Sequence, residues 1–194
     1  MKNKFTIKMI LVLIVSVSIS FTKTKNDEYF KWKDAEILYQ KKDYENALKI
    51  YLEIFNQNST SYEYLKKIKL ILNQKKEYSL LIDCYMKFIK STLNEKLLFE
   101  AETDLIEIKI WNKDISWVDD LYKLEKKYEN KKNNIYKYEF ILLRIAKNKQ
   151  TSNAYEFIRF IRKKYNKPIF FSRKLISIFK DDSKYEESIN ESIV

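Results

Sequence analysis

The sequence lacks glycine and histidine, and its 194 residues include one proline, Pro168, and one cysteine, Cys84. Without glycine there is no phosphate-binding glycine loop and no nucleophile elbow, and tight β-hairpin turns lose their preferred residue. Without histidine there is no imidazole base, no Ser-His or Cys-His pair and no histidine metal ligand. A single cysteine excludes an internal disulfide and a thiolate zinc cluster. We therefore predict a protein that is not an enzyme and that uses no metal and no cofactor.

The residues that are present favour helix and a buried core. Hydrophobic residues make up 45% of the chain, which is enough for one domain with its own core. Lysine, glutamate, leucine and isoleucine are good or tolerable helix formers, so the composition predicts an all-α fold. Cys84 lies between Leu81 and Phe88 on the apolar side of a predicted helix, where a buried thiol behaves as a small hydrophobic group. An intermolecular disulfide is the alternative for an exported chain.

Residues 1–20 have the features of a signal peptide. A positive segment precedes an apolar run, and small residues suit cleavage after Ser20. The run from Met9 to Phe21 has 13 residues, fewer than the roughly 18 to 20 that span a bilayer. The positive residues are Lys2, Lys4 and Lys8. We predict an exported protein, periplasmic, in the cell envelope or secreted. A membrane anchor that is not cleaved, formed by residues 5–21, is the alternative.

Two stretches of the chain, residues 41–55 and 75–89, repeat one pattern. The matching pairs, each 34 residues apart, are Tyr44 and Tyr78, Ala47 and Leu81, and Tyr51 and Tyr85. A fixed period near 34 is typical of paired helices that stack into a solenoid. Apolar residues at helical spacing mark the two helices of the first unit, and Asp43 between them suits a helix N-cap. The first helix carries Ala35 and Leu38, and the second carries Tyr44, Ala47, Tyr51 and Ile54.

This first unit resembles the tetratricopeptide repeat. The residues that carry the resemblance are Trp32, Ala35, Tyr39, Tyr44, Ala47 and Tyr51. Ala35 stands where the family has glycine, and Ile54 and Ser59 stand where it has a later alanine and a proline. The resemblance implies an α-solenoid of antiparallel helical hairpins whose first helices line a concave groove, and in this family such grooves bind proteins or peptides.

Three further units follow in the predicted helical-repeat domain, residues 26–180. The second has the stripes Leu65, Ile68, Leu72 and Tyr78, Leu81, Tyr85, Phe88. The third has Leu98, Ala101, Leu105, Ile108 and Ile115, Val118, Tyr122, and the fourth has Tyr138, Leu142, Ile145 and Ala154, Ile158, Ile161. Pro168 ends the fourth unit, and a capping helix follows with Phe171, Leu175, Ile178 and Phe179. We predict about four hairpins with this C-terminal cap, and an acidic mobile tail at 181–194.

The repeat frame places a set of candidate protein-binding residues on the concave face. Unit one supplies Tyr29, Trp32, Glu36 and Tyr39, unit two supplies Lys66 and Asn73, and unit four supplies Glu139. A large aromatic side chain beside polar groups is typical of a binding hot spot. We therefore predict a scaffold or adaptor whose partner is another envelope or secreted protein. The alternative for Trp32 and Tyr39 is that both pack between neighbouring helices.

Charge suggests a second kind of partner. The formal net charge is +11, and Arg159, Arg162 and Lys163 form one helical stripe that an anionic membrane surface would attract. The same stripe suits nucleic acid, but the export signal argues against an intracellular nucleic-acid role. The acidic residues Glu100, Asp104 and Glu107 share a helix face opposite the apolar stripe, so we predict that this face is solvated.

Overall fold

A computed structural model describes residues 27–129 and 151–166, together with residues 138, 142, 168, 171, 172, 175 and 176. Within these residues every regular element is an α-helix, as predicted, and there is no strand. The helices are α1 (27–40), α2 (Tyr44–Gln57), α3 (Tyr62–Lys75), α4 (Tyr78–Ser91), α5 (Glu95–Trp111), α6 (Trp117–Tyr128) and α7 (Thr151–Tyr165). The chain divides into two compact units, one ending at Glu77 and the other beginning at Tyr78.

Three helices each end in the same kind of turn, in which a lysine has the left-handed backbone conformation. Lys42, Lys76 and Lys113 have φ values of 64°, 59° and 58° and follow α1, α3 and α5. In each turn the N–H of the residue after the lysine donates to the carbonyl five residues before it, at 2.9 to 3.0 Å. The lysine's own N–H donates to the carbonyl three residues before the lysine. This is a Schellman motif, in which glycine usually takes the left-handed position. Because the chain has no glycine, lysine adopts this backbone at a cost of roughly 1–2 kcal/mol per turn.

The first unit is built from α1, α2 and α3, and α2 packs on α3. Asp43 caps α2, because its side chain accepts from the N–H of Asn46 at 3.3 Å. Ala35 and Ala47 are fully buried, and a small side chain at both positions suits close approach of helices. The predicted core residues Tyr51, Ile54, Leu65, Ile68 and Leu72 are also fully buried. Leu38 and Tyr44 are only partly buried.

The second unit contains α4 to α7, with α4 packed on α5 and α5 on α6. Its core runs from Phe99 to Leu175 and includes, among the predicted apolar residues, Tyr138, Leu142, Ile158, Ile161, Phe171 and Leu175. Ile145, Ile178, Phe179, the side chain of Ala154 and the tail at 181–194 lie outside the described residues. Cys84 is buried as predicted, and burial raises the pKa of its thiol to about 11.

The helix α5 departs from the prediction, because two of its faces are covered. Its buried residues include Phe99, Ala101, Ile106, Glu107, Ile108 and Ile110, while the predicted Leu98 and Leu105 are only partly buried. A helix that packs on both α4 and α6 has no single apolar stripe. Ile115, which we predicted to lie in the stripe of α6, is 81% exposed because it precedes the helix, and Trp117 is buried there instead.

The predicted solvated acidic face of α5 was also wrong. Glu107 is only 7% exposed, and Asp104 accepts a hydrogen bond at 2.9 Å from the hydroxyl of Tyr85 in α4. The reason is that α5 packs on α4, which supplies the Tyr85 hydroxyl to Asp104.

Buried tyrosines on α2, α4 and α6 each donate to a carboxylate on a neighbouring helix, α1 or α5. The pairs are Tyr51 with Glu36 at 2.7 Å, Tyr85 with Asp104 at 2.9 Å, and Tyr128 with Glu102 at 2.9 Å. Burial first, and then the neighbouring carboxylate, raises the pKa of Tyr51 and of Tyr128. Each pair satisfies a buried hydroxyl, which would otherwise cost about 1–3 kcal/mol.

Candidate protein-binding surface

Three of the predicted binding residues lie together on one face of α1. Trp32, Glu36 and Tyr39 are spaced i, i+4 and i+7, so their side chains project from the same side of the helix. The Trp32 ring contacts Tyr51 of α2 and Tyr64 of α3, with ring centroids 5.5 Å and 5.2 Å apart. Trp32 therefore packs between two helices and is partly exposed to solvent.

Glu36 joins all three helices of the first unit. Its carboxylate accepts from the hydroxyl of Tyr51 at 2.7 Å, and the Lys67 ammonium of α3 lies 2.7 Å and 2.8 Å from its two oxygens. Burial raises the pKa of Glu36, but hydrogen bonds from Lys67 and Tyr51 outweigh it and hold the pKa below its ordinary value. The carboxylate is thus kept ionised while its side chain is only 25% exposed.

The Lys67 ammonium also lies over two aromatic rings of α1. Its Nζ is 5.6 Å from the ring centroid of Trp32 and 5.1 Å from that of Tyr39, within the range of a cation–π contact. Trp32, Glu36 and Tyr39 therefore surround one cation with two π faces and a carboxylate. We call these three residues the Lys67 cage.

A second carboxylate holds α1 against α3 nearer its N-terminus. Glu28 accepts from the hydroxyl of Tyr64 at 2.7 Å and from the side-chain amide of Asn58 at 3.1 Å. Burial, and after it this hydrogen bond, raises the pKa of Tyr64. With the Lys67 contacts, these bonds place α1 and α3, the first helices of successive predicted units, side by side.

The remaining predicted groove residues are not part of the cage. Tyr29 is 53% exposed, one turn before Trp32. Lys66 of α3 is exposed and pairs with Glu63 at 2.7 Å. The side-chain oxygen of Asn73 is buried and has no hydrogen-bond partner. Glu139 lies outside the described residues.

Sequence reasoning missed Lys67 and Tyr64. Both lie one position before a fully buried residue of α3, either Leu65 or Ile68. One residue corresponds to about 100° around a helix, so the frame that selected Lys66 pointed to the wrong neighbour. The flanking positions of the apolar stripe were the signal available in the sequence.

The predicted basic stripe on α7 is only partly available to a ligand. Arg159 and Lys163 are exposed, and the Arg159 guanidinium lies 5.7 Å from the ring centroid of Tyr155. Arg162 is half-buried and donates to the hydroxyl of Ser172 at 2.8 Å. The three residues are thus on one helix, but Arg162 is held by an intramolecular contact.

Comparison of the chain with protein-family models, curated proteins and solved structures found no match. In the part of the chain that the structure describes, none of the helices is both long and apolar enough to cross a membrane. The same residues contain no cluster of three or more histidine, cysteine or acidic side chains that would hold a metal ion.

Proposed function

We propose that this protein is an exported, non-catalytic adaptor built from tetratricopeptide-like hairpins, and that it binds a partner protein along the face that α1 and α3 share. The observation that carries the proposal is the side-by-side contact of these two helices through Trp32, Tyr64, Glu36 and Lys67. In a tetratricopeptide-like solenoid, the first helices of successive repeats are neighbours and form the binding groove.

The repeated turns support a repeat architecture. Lys42, Lys76 and Lys113 adopt the same left-handed backbone and make the same two hydrogen bonds, at steps of 34 and 37 residues along the chain. Each of these turns follows one of the helices α1, α3 and α5, which are the first helices of the first three predicted repeats. We propose that the chain follows a tetratricopeptide-like repeat and that the segment after Pro168 forms its capping helix.

The α1 face also has the chemistry of a binding surface. Tyr29 is more than half exposed, and Trp32 and Tyr39 are partly exposed while contacts with other helices hold their rings in place. Rigid aromatic side chains bury a large area and lose little conformational entropy when a partner binds. The face therefore favours protein recognition over catalysis.

Affinity purification from an envelope fraction tests the α1 face. Tyr29→Ala, Trp32→Ala and Tyr39→Ala should each reduce recovery of the specific partner relative to the wild type. The matched control is Lys49→Ala, an exposed position on α2. Tyr29→Ala is the decisive variant because removing its exposed ring leaves the core intact, as circular dichroism would verify. Partner recovery that is equal for Tyr29→Ala, Trp32→Ala and the control would contradict the proposal.

Export itself is part of the proposal and concerns residues outside the described range. We propose that residues 1–20 direct export and are removed after Ser20. Mass spectrometry of the purified mature protein should give an N-terminus at Phe21. A chain that begins at Met1 and stays in the membrane fraction would favour the anchor formed by residues 5–21.

A second candidate function is contact with an anionic membrane surface, which the exposure of Arg159 and Lys163 on α7 favours. Sedimentation with phosphatidylglycerol vesicles should then fall with rising salt and in the double variant Arg159→Gln, Lys163→Gln. Arg162→Gln should have a smaller effect, because that guanidinium is already bound to Ser172. Binding that neither salt nor the double variant weakens would exclude this function.

A further inference from the structure

The Lys67 cage is a site for a cation that the protein fills with its own side chain. Its fixed groups are the faces of Trp32 and Tyr39 and the carboxylate of Glu36, and all three attract positive charge. The Tyr51 hydroxyl donates to the same carboxylate, and this hydrogen bond holds Glu36 in place independently of Lys67. The cage is therefore organised before any external cation arrives.

Lys67 is also in a position to leave. Its side chain and that of Glu36 are each 25% exposed, so water reaches the pair, and a lysine has a long flexible stem on the surface of α3. Ion pairs and cation–π contacts that water reaches each contribute little stability. Displacing the ammonium into solvent thus has a small cost.

We propose that the cage is a docking subsite for a lysine or arginine side chain of the partner protein, and that Lys67 caps it in the free protein. The inference rests on the proposed adaptor function and adds the chemistry of the partner. An incoming cation replaces Lys67 on Glu36 and between the two rings, and Lys67 turns outward, where it becomes available to an acidic group of the same partner. An acidic residue would be repelled by the carboxylate, and a neutral residue would leave it without the counter-charge that Lys67 now supplies.

The direct test is binding of a single cationic side chain to the full-length protein by NMR. The probe is N-acetyl-lysine N-methylamide, the neutral control is N-acetyl-norleucine N-methylamide, and the observed signal is the indole N–H of Trp32. Lys67→Met removes the internal cation and keeps the stem, so the variant should bind the lysine probe roughly 3- to 30-fold more tightly than the wild type. Adding Glu36→Gln to this variant should abolish the gain.

Three results would overturn the proposal: equal affinities of wild type and Lys67→Met, equal shifts with the norleucine control, or a gain that survives Glu36→Gln. If Lys67→Met fails to fold, Lys67→Gln keeps a neutral donor on Glu36 and should give the same order of affinities. The test is separate from that of the adaptor function. If Tyr29→Ala loses the partner but the lysine probe does not bind, the adaptor function stands and the docking subsite is disproved. If the probe binds as predicted but Tyr29→Ala keeps the partner, the adaptor function is disproved.

Discussion

The contact between Tyr51 and Glu36 gives the sharpest test of how the first unit is held together. Tyr51→Phe keeps the buried ring and removes only a hydroxyl that donates to a carboxylate at 2.7 Å. A hydrogen bond to a charged group contributes about 1.5–3 kcal/mol. Because Glu36 keeps Lys67 and reaches water, we expect the lower part of this range, a loss of about 1.5–2 kcal/mol.

A double-mutant cycle separates the charge from the packing. In a Glu36→Gln background the acceptor is neutral, so Tyr51→Phe should cost only about 0.5–1 kcal/mol, and the coupling should be about 1 kcal/mol.

The Glu36 carboxylate also makes the stability contributed by this hydrogen bond depend on pH. Since the folded-state pKa of Glu36 lies below the ordinary 4.5, its contribution is complete above that value and is lost as the pH falls through the folded-state pKa.

Urea unfolding of the full-length protein, followed by far-ultraviolet circular dichroism at pH 7 and near pH 3, measures these differences. The control is Tyr29→Phe, which removes a hydroxyl from an exposed ring and should change the free energy of unfolding by less than about 0.5 kcal/mol. A Tyr51→Phe variant no less stable than this control at pH 7 would refute the reasoning. So would a cost that is unchanged in the Glu36→Gln background.

Two further predictions concern stability. Lys76→Gly should raise the free energy of unfolding by about 0.5–1 kcal/mol, because glycine has no Cβ to oppose the left-handed backbone, whereas Gln74→Gly inside α3 should lower it by about 1 kcal/mol. Chemical denaturation measures both, and a destabilising Lys76→Gly would contradict the turn assignment. Lys164→Met should cost about 1–3 kcal/mol, because it removes the ion pair of Glu125, whose side chain is 2% exposed but keeps the hydrogen bond from the Tyr165 hydroxyl. Thermal unfolding should show several degrees of loss, while Lys163→Met at the next, exposed position should match the wild type.

Where the same apolar pattern recurs, the sequence was enough to predict which residues of a helix are buried. Ala47 and Leu81 are buried on second helices one period apart, and Tyr51 and Tyr85 likewise. Their burial follows from a period of 34 and from helical spacing, which both act over short distances along the chain. The all-α class was predictable for the same reason.

Side chains whose environment is set by distant helices could not be predicted in this way. Glu107 looked solvated on a helical wheel, yet α5 turns that face toward a neighbour and buries it. Ile115 looked like a core residue, yet it lies before α6 begins. Local periodicity gives the apolar face of a helix only when one face is covered.

The candidate site was likewise predicted in part from the sequence. The frame of the repeat selected Trp32, Glu36 and Tyr39, and the structure brings these three together. It could not supply Lys67, because the pair with Glu36 joins residues 31 positions apart and depends on the rotation of α3. One step of 100° about that helix separates Lys67 from the predicted Lys66.

Site-specific photo-cross-linking in cells that make the protein tests the central claim most directly. A photoreactive phenylalanine analogue would replace Tyr29 on the α1 face in one strain and Lys49 on α2 in another. The claim predicts one defined protein adduct from position 29, which competition with free wild-type protein reduces, and none from position 49. Adducts that are equal at both positions, or that arise at position 49 alone, would show that the α1 face is not where this protein holds its partner.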